Sequence, residues 1–500
     1  KAWFSAYDKE TKKLIDFGNM RIVKRPKNKQ VLKLVELFTI KFDNIQNEKI
    51  CKCRFVVRGD LEKREEINLE SHYASVASAE ITRLVLCLAA TYGLKVSQAD
   101  VVNAFLHSDL GREVYIELPL KLRMKYGSDR VWVTNKSIYG LSESPKRWGE
   151  KFRTCLEEMG FKCCETENSL FFKESSDGKM IVVVYVDDLI YFSSSGKMKR
   201  NFEKDLKMKF PMKFKTLAQE FVAYQLEQSQ RGIKIHQTKY CKKILRIFEM
   251  EDAIKSKTPM DHLEVIKSAG IKLSDPNLYQ SITGSLLYLS VNTRCDISYA
   301  VHQLTKMMKA PSASNLKTAK RVLRYLKGKE DLGIFYERNN GKLKLVMHVD
   351  AEFGKHENGK AVFGYVIFLN GKPVIFKTKQ QNDSTLNPTE AEFIAISEAC
   401  KSLVWILEIL KFLKVKHKVA RVYCDNLAAV KMCTNPGAVK RTRKLKLNYF
   451  WINQEIRDGR FVVEHIAGKE NLADALTKSV RGIELNKFIE NTMNQIFSEA

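Results

Sequence analysis

The stretch Met180-Ile181-Val182-Val183-Val184-Tyr185-Val186-Asp187-Asp188-Leu189-Ile190-Tyr191-Phe192 reads as a strand, a tight acidic turn and a second strand. β-Branched and aromatic residues fill both apolar runs, and the two carboxylates fall at the hairpin tip. Nucleotidyl transfer from a nucleoside triphosphate uses two Mg²⁺ ions about 3.5–4 Å apart, so it needs carboxylates from more than one strand. Asp100 supplies a third, after the strand-like Leu94 to Ala99 and before Asn103-Ala104-Phe105-Leu106, which reads as helical. Alone, an Asp-Asp pair between strands is more often ordinary turn chemistry.

Working outward, 500 residues imply roughly three domains at about 150 residues each. A hydrophobic fraction of 44% with 10% aromatics is enough for folded cores. The 85 Lys and Arg exceed the 58 Asp and Glu by 27 charges, a surplus suited to a phosphate backbone. The longest apolar run, Met180 to Val186, falls far short of the roughly 18 residues of a membrane span, and no membrane partner is expected. Without a signal-peptide pattern, the expectation is an intracellular protein. The 11 cysteines are scattered with no CxxC and read as reduced thiols. The chain opens Lys1-Ala2-Trp3 without Met, consistent with release from a longer polyprotein or with trimming.

Five segments are expected. Residues 1–48 are basic, with an exposed loop over Lys24 to Gln30. Residues 49–215 alternate short strands with helices such as Ala79 to Tyr92, an α+β pattern. Residues 216–340 read as helical, including a basic amphipathic helix from Tyr240 to Met250 with Lys242 and Lys243 on its polar face, and a linker from Ile254 to Asn277. Residues 341–482 open with the alternating Leu343, Leu345, Met347 and Val349 and form a second α/β unit. Residues 483–500 are a tail.

The second unit carries its own acidic series. Asp350 ends a strand, Glu392 lies early in a helix running from Thr389 through Leu413, Asp425 follows the strand Val419 to Cys424, and Asp474 sits in Asn471-Leu472-Ala473-Asp474-Ala475-Leu476. A strand, a helix, a strand and a final helix that gather four carboxylates form an RNase H arrangement around two metal ions. Glu390 competes with Glu392 for the helix position. His465, on a loop before Asp474, reads as a surface histidine, with a product-releasing role as the alternative. Between the last two motifs, Lys440, Arg441, Arg443, Lys444 and Lys446 make a basic run, either a solvated face or a hybrid-backbone contact.

Four strings, Lys52-Cys53-Arg54-Phe55-Val56-Val57-Arg58-Gly59, Asp100 to His107, Ser137-Ile138-Tyr139-Gly140-Leu141 through Ser144-Pro145-Lys146, and Tyr185-Val186-Asp187-Asp188, resemble in order the blocks of copia-type LTR-retrotransposon reverse transcriptases. VDA, TEAEF, YCDN and LADALTK resemble the RNase H of the same family. The resemblance implies an α+β right-hand polymerase followed by an α/β RNase H-like domain. Residues 1–48 would join the fingers, 49–215 would be fingers and palm, and 216–340 thumb and connection. It makes Asp100, Asp187 and Asp188 the metal ligands of one site and Asp350, Glu392, Asp425 and Asp474 those of the other, with Mg²⁺ as cofactor and Mn²⁺ as substitute. Lys52, Arg54, Tyr139 and Gly140 would bind the incoming nucleotide, and Phe105 would exclude a ribose 2′-hydroxyl. Lys146 and Arg147 would contact nucleic acid, as would Lys242 and Lys243. The implied partners are an RNA template, a DNA or RNA primer, the RNA:DNA hybrid and dNTPs, with a homodimer left open. The implied location is cytoplasmic, within a virus-like particle, or nuclear.

Some positions depart from the pattern. Ser142-Glu143 replaces Lys-Gln, Pro119-Leu120-Lys121-Leu122 replaces Pro-Pro-Gly-Phe, and Ala223 replaces a glycine of the thumb; Glu143 is expected to repel a nearby nucleic acid. An inactive domesticated relative would not be expected to keep all seven carboxylates. A group II intron maturase typically lacks the second acidic series, and an RNA-dependent RNA polymerase usually lacks an aromatic at the place of Phe105.

Overall fold

The computed structural model describes residues 1–43, 48–62, 76–262, 266, 270–339, 341, 343–354, 359–382, 384–435 and 443–493. They fall into two compact units, residues 1–77 with 97–215 and residues 78–96 with 216–500.

The first unit is built on six strands, β1 (Ser97–Val101), β2 (Lys162–Cys164), β3 (Glu167–Ser175), β4 (Gly178–Tyr185), β5 (Asp188–Ser193) and β6 (Met212–Lys215). They are ordered β6-β1-β5-β4-β3-β2, and every neighbour is antiparallel. Strands β4 and β5 are the hairpin expected from the sequence. Met180 to Val183 and Leu189 to Phe192 are buried without a break, which is why the text there lacks alternation. Helix Ser144–Glu158 starts with Pro145 in its first turn and sends Trp148, Phe152, Cys155 and Leu156 into the core at spacings of three and four. Helix Gly196–Lys209 is capped by the Ser195 hydroxyl, which accepts from the Met198 N–H, and buries Met198, Phe202 and Leu206 on the same core.

The same unit has a second core around Tyr7, Leu14, Phe55 and Trp132. Residues 1–48, basic and uninformative as text, contribute helix Ala2–Gly18 to it, with Tyr7, Glu10, Leu14 and Gly18 buried. Only two of those four are apolar, so the helical stripe is faint in the sequence. Strands Leu34–Asp43 and Glu48–Val57 form an antiparallel hairpin beside this core.

In the second unit, helix Ala79–Thr91, which the sequence places within 49–215, packs with residues downstream of 216. The stretch 216–340, expected as helical, also holds a four-stranded sheet of β7 (Glu220–Phe221), β8 (Tyr224–Gln228), β9 (Gly232–His236) and β10 (Gly333–Glu337) in sequential order. These strands are two to five residues long, too short for the alternation Ile233-Lys234-Ile235-His236 to stand out, and Lys234 and His236 on β9 are buried together with the two isoleucines. The expected basic helix spans Thr238–Ile247, and three further helices span Asn277–Asn292, Ser298–Thr305 and Ala313–Lys327. No regular element occurs among the described residues between them from Phe248 to Pro276.

The last sheet joins β11 (Leu345–Glu352), β12 (Val362–Leu369), β13 (Lys372–Gln380), β14 (Ala420–Cys424) and β15 (Phe461–His465) in the order β13-β12-β11-β14-β15. The first three are antiparallel, and β11, β14 and β15 run parallel. Helix Pro388–Phe412, started by Asn387 and Pro388, packs against β11 and β12. The chain is thus α+β with a mixed-sheet α/β segment at its end. Among the described residues no helix is long and apolar enough to cross a membrane, and all 11 cysteines are free thiols.

Candidate active sites

Strand pairing assembles the first acidic cluster. In β5 and β1, Asp188 stands opposite Asp100, and Tyr185 pairs with Asp188 to close a two-residue turn of Val186 and Asp187. The Val101 N–H donates to the Asp187 carbonyl at 2.9 Å, so the turn is tied to the strand that bears Asp100. Val186 has φ +58° and is the only residue of the turn with positive φ. That is the pattern of a type II′ turn, whose first central position normally takes glycine. A β-branched residue there stores about 1–3 kcal/mol of strain. Burial first, then the charges of Asp100 and Asp187, push the Asp188 carboxyl up to about 6, and the Gln98 amide donates to it at 3.4 Å. Carboxylates whose charges raise the proton affinity of Asp188 are the kind of group that fits a divalent cation.

Around this cluster the structure brings together residues far apart in sequence. Arg54, on strand Glu48–Val57, has its guanidinium carbon 5.2 Å from the centre of the Tyr139 ring, and Lys52 lies two residues away on the same face of that strand. The Phe105 ring, on a short 3-10 helix Ala104–His107, meets Tyr139 edge to face at 4.9 Å. Burial, then Asp187, pushes the Tyr139 hydroxyl up to about 12. Glycines make the approach possible. Gly140 has φ +100°, and a Cβ there would stand 2.0 Å from the Val57 carbonyl, while one on Gly59 would stand 2.2 Å from the Gly140 carbonyl. Sequence inspection missed Lys13, on helix Ala2–Gly18, whose ammonium lies 5.6 Å from the Tyr139 ring centre and pairs with Glu10 at 3.1 Å. An i, i+3 ion pair on a helix of balanced charge gave no signal of a tyrosine more than a hundred residues away.

Glu143 is not the exposed repulsive charge expected. It is 5% exposed and accepts from Arg112 at 2.9 Å, and the same guanidinium donates to Glu62 at 2.7 Å. Arg147 lies 3.7 Å from the other Glu143 oxygen, so cations on two sides neutralise the carboxylate. Lys146 faces Glu150 one turn along the helix at 3.8 Å. Lys242 and Lys243 are exposed on helix Thr238–Ile247, opposite the buried Cys241, Ile244 and Leu245.

The second cluster lies on the last sheet. Asp350 sits inside β11, Asp425 directly follows β14, and Glu392 projects from helix Pro388–Phe412 with its carboxylate 3.7 Å from the Cys424 thiol. Asp474 begins the four-residue helix Asp474–Thr477, which is brought onto the sheet at Gly364, opposite Asp350, where a Cβ would stand 2.6 Å from the Leu476 side chain. The Thr477 hydroxyl donates to Asp350, and Lys478 pairs with Asp474 at 2.9 Å. Carboxylate oxygens of Asp350, Asp425 and Asp474 all lie within 4.8 Å of one another, as do the ligand atoms of Glu392, Cys424 and Asp425. Burial, then Asp474, pushes Asp350 up to about 7; burial, then Asp350 and Asp425, pushes Glu392 up to about 9. This set too fits divalent cations.

Glu390 takes no part in the cluster. Its carboxylate accepts from the Leu386 N–H at 2.8 Å, closing the turn before the helix. His465 is exposed, and its Nε2 lies 3.1 Å from the Asp425 carbonyl oxygen. Lys440 and Arg441 lie outside the described residues, and Arg443 and Lys444 belong to helix Arg443–Arg457 by their backbone alone.

Comparison with known proteins agrees with this architecture. Residues 18–262 match the family described as reverse transcriptase (RNA-dependent DNA polymerase). The chain is 30% identical over 487 residues to the retrovirus-related Pol polyprotein from transposon TNT 1-94 of Nicotiana tabacum, covering 95% of this chain and 36% of that protein. It is 32% identical over 303 residues to the putative transposon Ty5-1 protein YCL074W of Saccharomyces cerevisiae, covering 60% of this chain and 98% of that protein. Against TNT 1-94 and the RE2 Pol polyprotein of Arabidopsis thaliana, the chain spans about a third of the relative's length. Among solved structures, the foamy viral protease-reverse transcriptase in complex with RNA/DNA hybrid shares the fold with a TM-score of 0.54 at 13% identity, over 93% of this chain and 53% of that one. The chain belongs to the reverse transcriptase family of Ty1/copia-type transposon Pol proteins.

Proposed function

We propose that the chain is an RNA-directed DNA polymerase with a separate ribonuclease H site, copying transposon RNA into DNA and cleaving the RNA strand of the resulting hybrid. The observation that carries this is the pair of independent carboxylate clusters, one on the β4–β5 hairpin and one on the β11–β14 sheet. Divalent cations, Mg²⁺ by donor chemistry and two per site, would be held by Asp100, Asp187 and Asp188 and by Asp350, Glu392, Asp425 and Asp474, and would supply activation of the attacking oxygen and neutralisation of the leaving one.

The chain's own groups complete the reaction. Arg54 and Lys52 offer donors to the triphosphate of a dNTP, with Arg54 braced by Tyr139. Phe105, wedged against the same tyrosine, presents a flat apolar face where a 2′-hydroxyl would clash. Lys146 and Arg147 in the first unit, and Lys242 and Lys243 in the second, would neutralise phosphates of template and primer. In the second site, Lys478 holds Asp474 against the Asp350 side. The foamy viral relative was captured with an RNA/DNA hybrid, the ligand proposed here.

The test is primer extension on an RNA template together with cleavage of a labelled hybrid by the same preparations. Asp187→Asn should abolish DNA synthesis and spare hybrid cleavage, and Asp425→Asn should do the reverse. Loss of both activities in either variant counts against two sites, and activity in neither assay for the unaltered chain overturns the proposal.

A further inference from the structure

We infer that Trp148 is a positioning residue for the polymerase site: its indole N–H holds Val186 in the left-handed turn that sets the direction of Asp187 and Asp188. The inference rests on the proposed polymerase role of those carboxylates.

The turn has a conformational problem of its own. Val186 occupies the position where a type II′ turn calls for glycine, with φ +58°. Valine's branched Cβ makes it among the least suited residues for that region, and it has no polar side chain to compensate. Something outside the hairpin must hold the peptide there. The Trp148 Nε1–H donates to the Val186 carbonyl at 2.7 Å. The indole is 1% exposed and wedged against Phe152 at 5.2 Å, Phe210 at 5.3 Å and His107 at 6.2 Å between ring centres. It cannot swing with the turn. The next carbonyl, of Asp187, accepts from Val101. Both central peptides of the turn are therefore tied to different elements, one to helix Ser144–Glu158 and one to the strand that carries Asp100.

A cavity of about 260 Å³ lined by Trp148, Phe152, Phe171, Val184 and Val186 runs beside this bond. Without the indole nitrogen, water entering there can satisfy the carbonyl, but it cannot fix its direction as a wedged ring does. Removing the nitrogen while keeping an aromatic ring should loosen the turn without unfolding the core.

The experiment is a double-variant cycle on the full chain with Trp148→Phe and Val186→Gly. In the otherwise unaltered protein, Trp148→Phe should lower kcat for primer extension about tenfold, with KM for dNTP within about twofold and hybrid cleavage unchanged. Glycine adopts positive φ freely and needs no anchor. In the Val186→Gly background, whatever that change does itself, adding Trp148→Phe should cost less than about twofold. Unfolding midpoints of the four proteins give a readout independent of activity: Trp148→Phe should lower the midpoint less with Val186 present, where losing the bond lets the strained turn relax, than in the Val186→Gly background, where there is no strain to relieve. Equal losses in both backgrounds would mean that the ring only packs, and no loss of kcat in the Val186 background would mean that the bond is idle; either overturns the inference. If the unaltered chain extends no primer, the polymerase reading fails, and the midpoint cycle still decides whether Trp148 anchors the turn.

Discussion

Helix Ala79–Thr91 carries one arginine in an otherwise apolar centre, and its replacement tests what holds the second unit together. Arg83 is 1% exposed. Its Nε donates to the Val374 carbonyl at 2.8 Å, and Nη1 donates to the carbonyls of Val291 and Asn292, also at 2.8 Å. Its guanidinium carbon lies 4.4 Å from the centre of the Phe376 ring. The acceptors explain the arginine. Val374 is the extra residue where the β12–β13 register slips, so its carbonyl has no ladder partner. Val291 and Asn292 end helix Asn277–Asn292, where the final carbonyls also lack intrahelical donors and the dipole favours a cation. Arg83→Met keeps much of the apolar volume and leaves two buried acceptors and the part-buried Val291 carbonyl unpaired, each worth about 1–3 kcal/mol. Part of the gross loss is offset, because the desolvated guanidinium is removed as well. The net expectation is about 3–5 kcal/mol, at the upper end of single-residue effects. For a body of this size that is a fall of roughly 6–15 °C in the unfolding midpoint by calorimetry or circular dichroism. Arg83→Lys, with one compact donor group in place of the planar fork, should fall between. A midpoint for Arg83→Met within about 2 °C of the unaltered chain would refute the reasoning, since the three carbonyls would then have to be satisfied without the arginine.

Two further outcomes follow from the sites. Gly140→Ala places a Cβ 2.0 Å from the Val57 carbonyl at φ +100°, so it should destabilise the first unit by about 3 kcal/mol or more in denaturant titration, while Gly149→Ala, in an open helical position, should be neutral or stabilising. In metal-free protein the charged forms of Asp350 and Glu392, whose ordinary values are 3.8 and 4.5 and which burial raises to about 7 and about 9, are disfavoured in the fold. The stability they contribute is complete below about pH 4 and is lost as pH rises through 7 to 9, so chelator-treated protein should melt progressively lower from pH 5 to pH 9, and saturating Mg²⁺ should restore most of the loss at the alkaline end. A flat profile, or one that Mg²⁺ does not alter, counts against a cation-binding carboxylate cluster.

What the sequence disclosed and what it hid divide along the range of the interactions. The β4–β5 hairpin was legible because its strands are long, uninterrupted and apolar on both faces, and helix Pro388–Phe412 because Asn387 and Pro388 mark its start. The choice between Glu390 and Glu392 depends on which helical face meets β11, a property of docking that periodicity left open and that only the family resemblance of TEAEF decided. The short sheet β7–β10 was obscured by the brevity of its strands, two to five residues each, even though Ile233-Lys234-Ile235-His236 alternates. Lys13 beside Tyr139, and Arg112 neutralising Glu143, depend on contacts between distant segments. Two signals were nonetheless present in the text. A lone arginine amid Ile81-Thr82-Arg83-Leu84-Val85-Leu86 must, if buried, find acceptors that the rest of the fold leaves open. A two-residue turn of Val186 and Asp187, with no glycine or asparagine, breaks the turn preferences that ordinary hairpins obey. Such a local violation persists only where the surrounding structure enforces it, and the enforcing group here, Trp148, stands next to the carboxylates whose direction the turn determines.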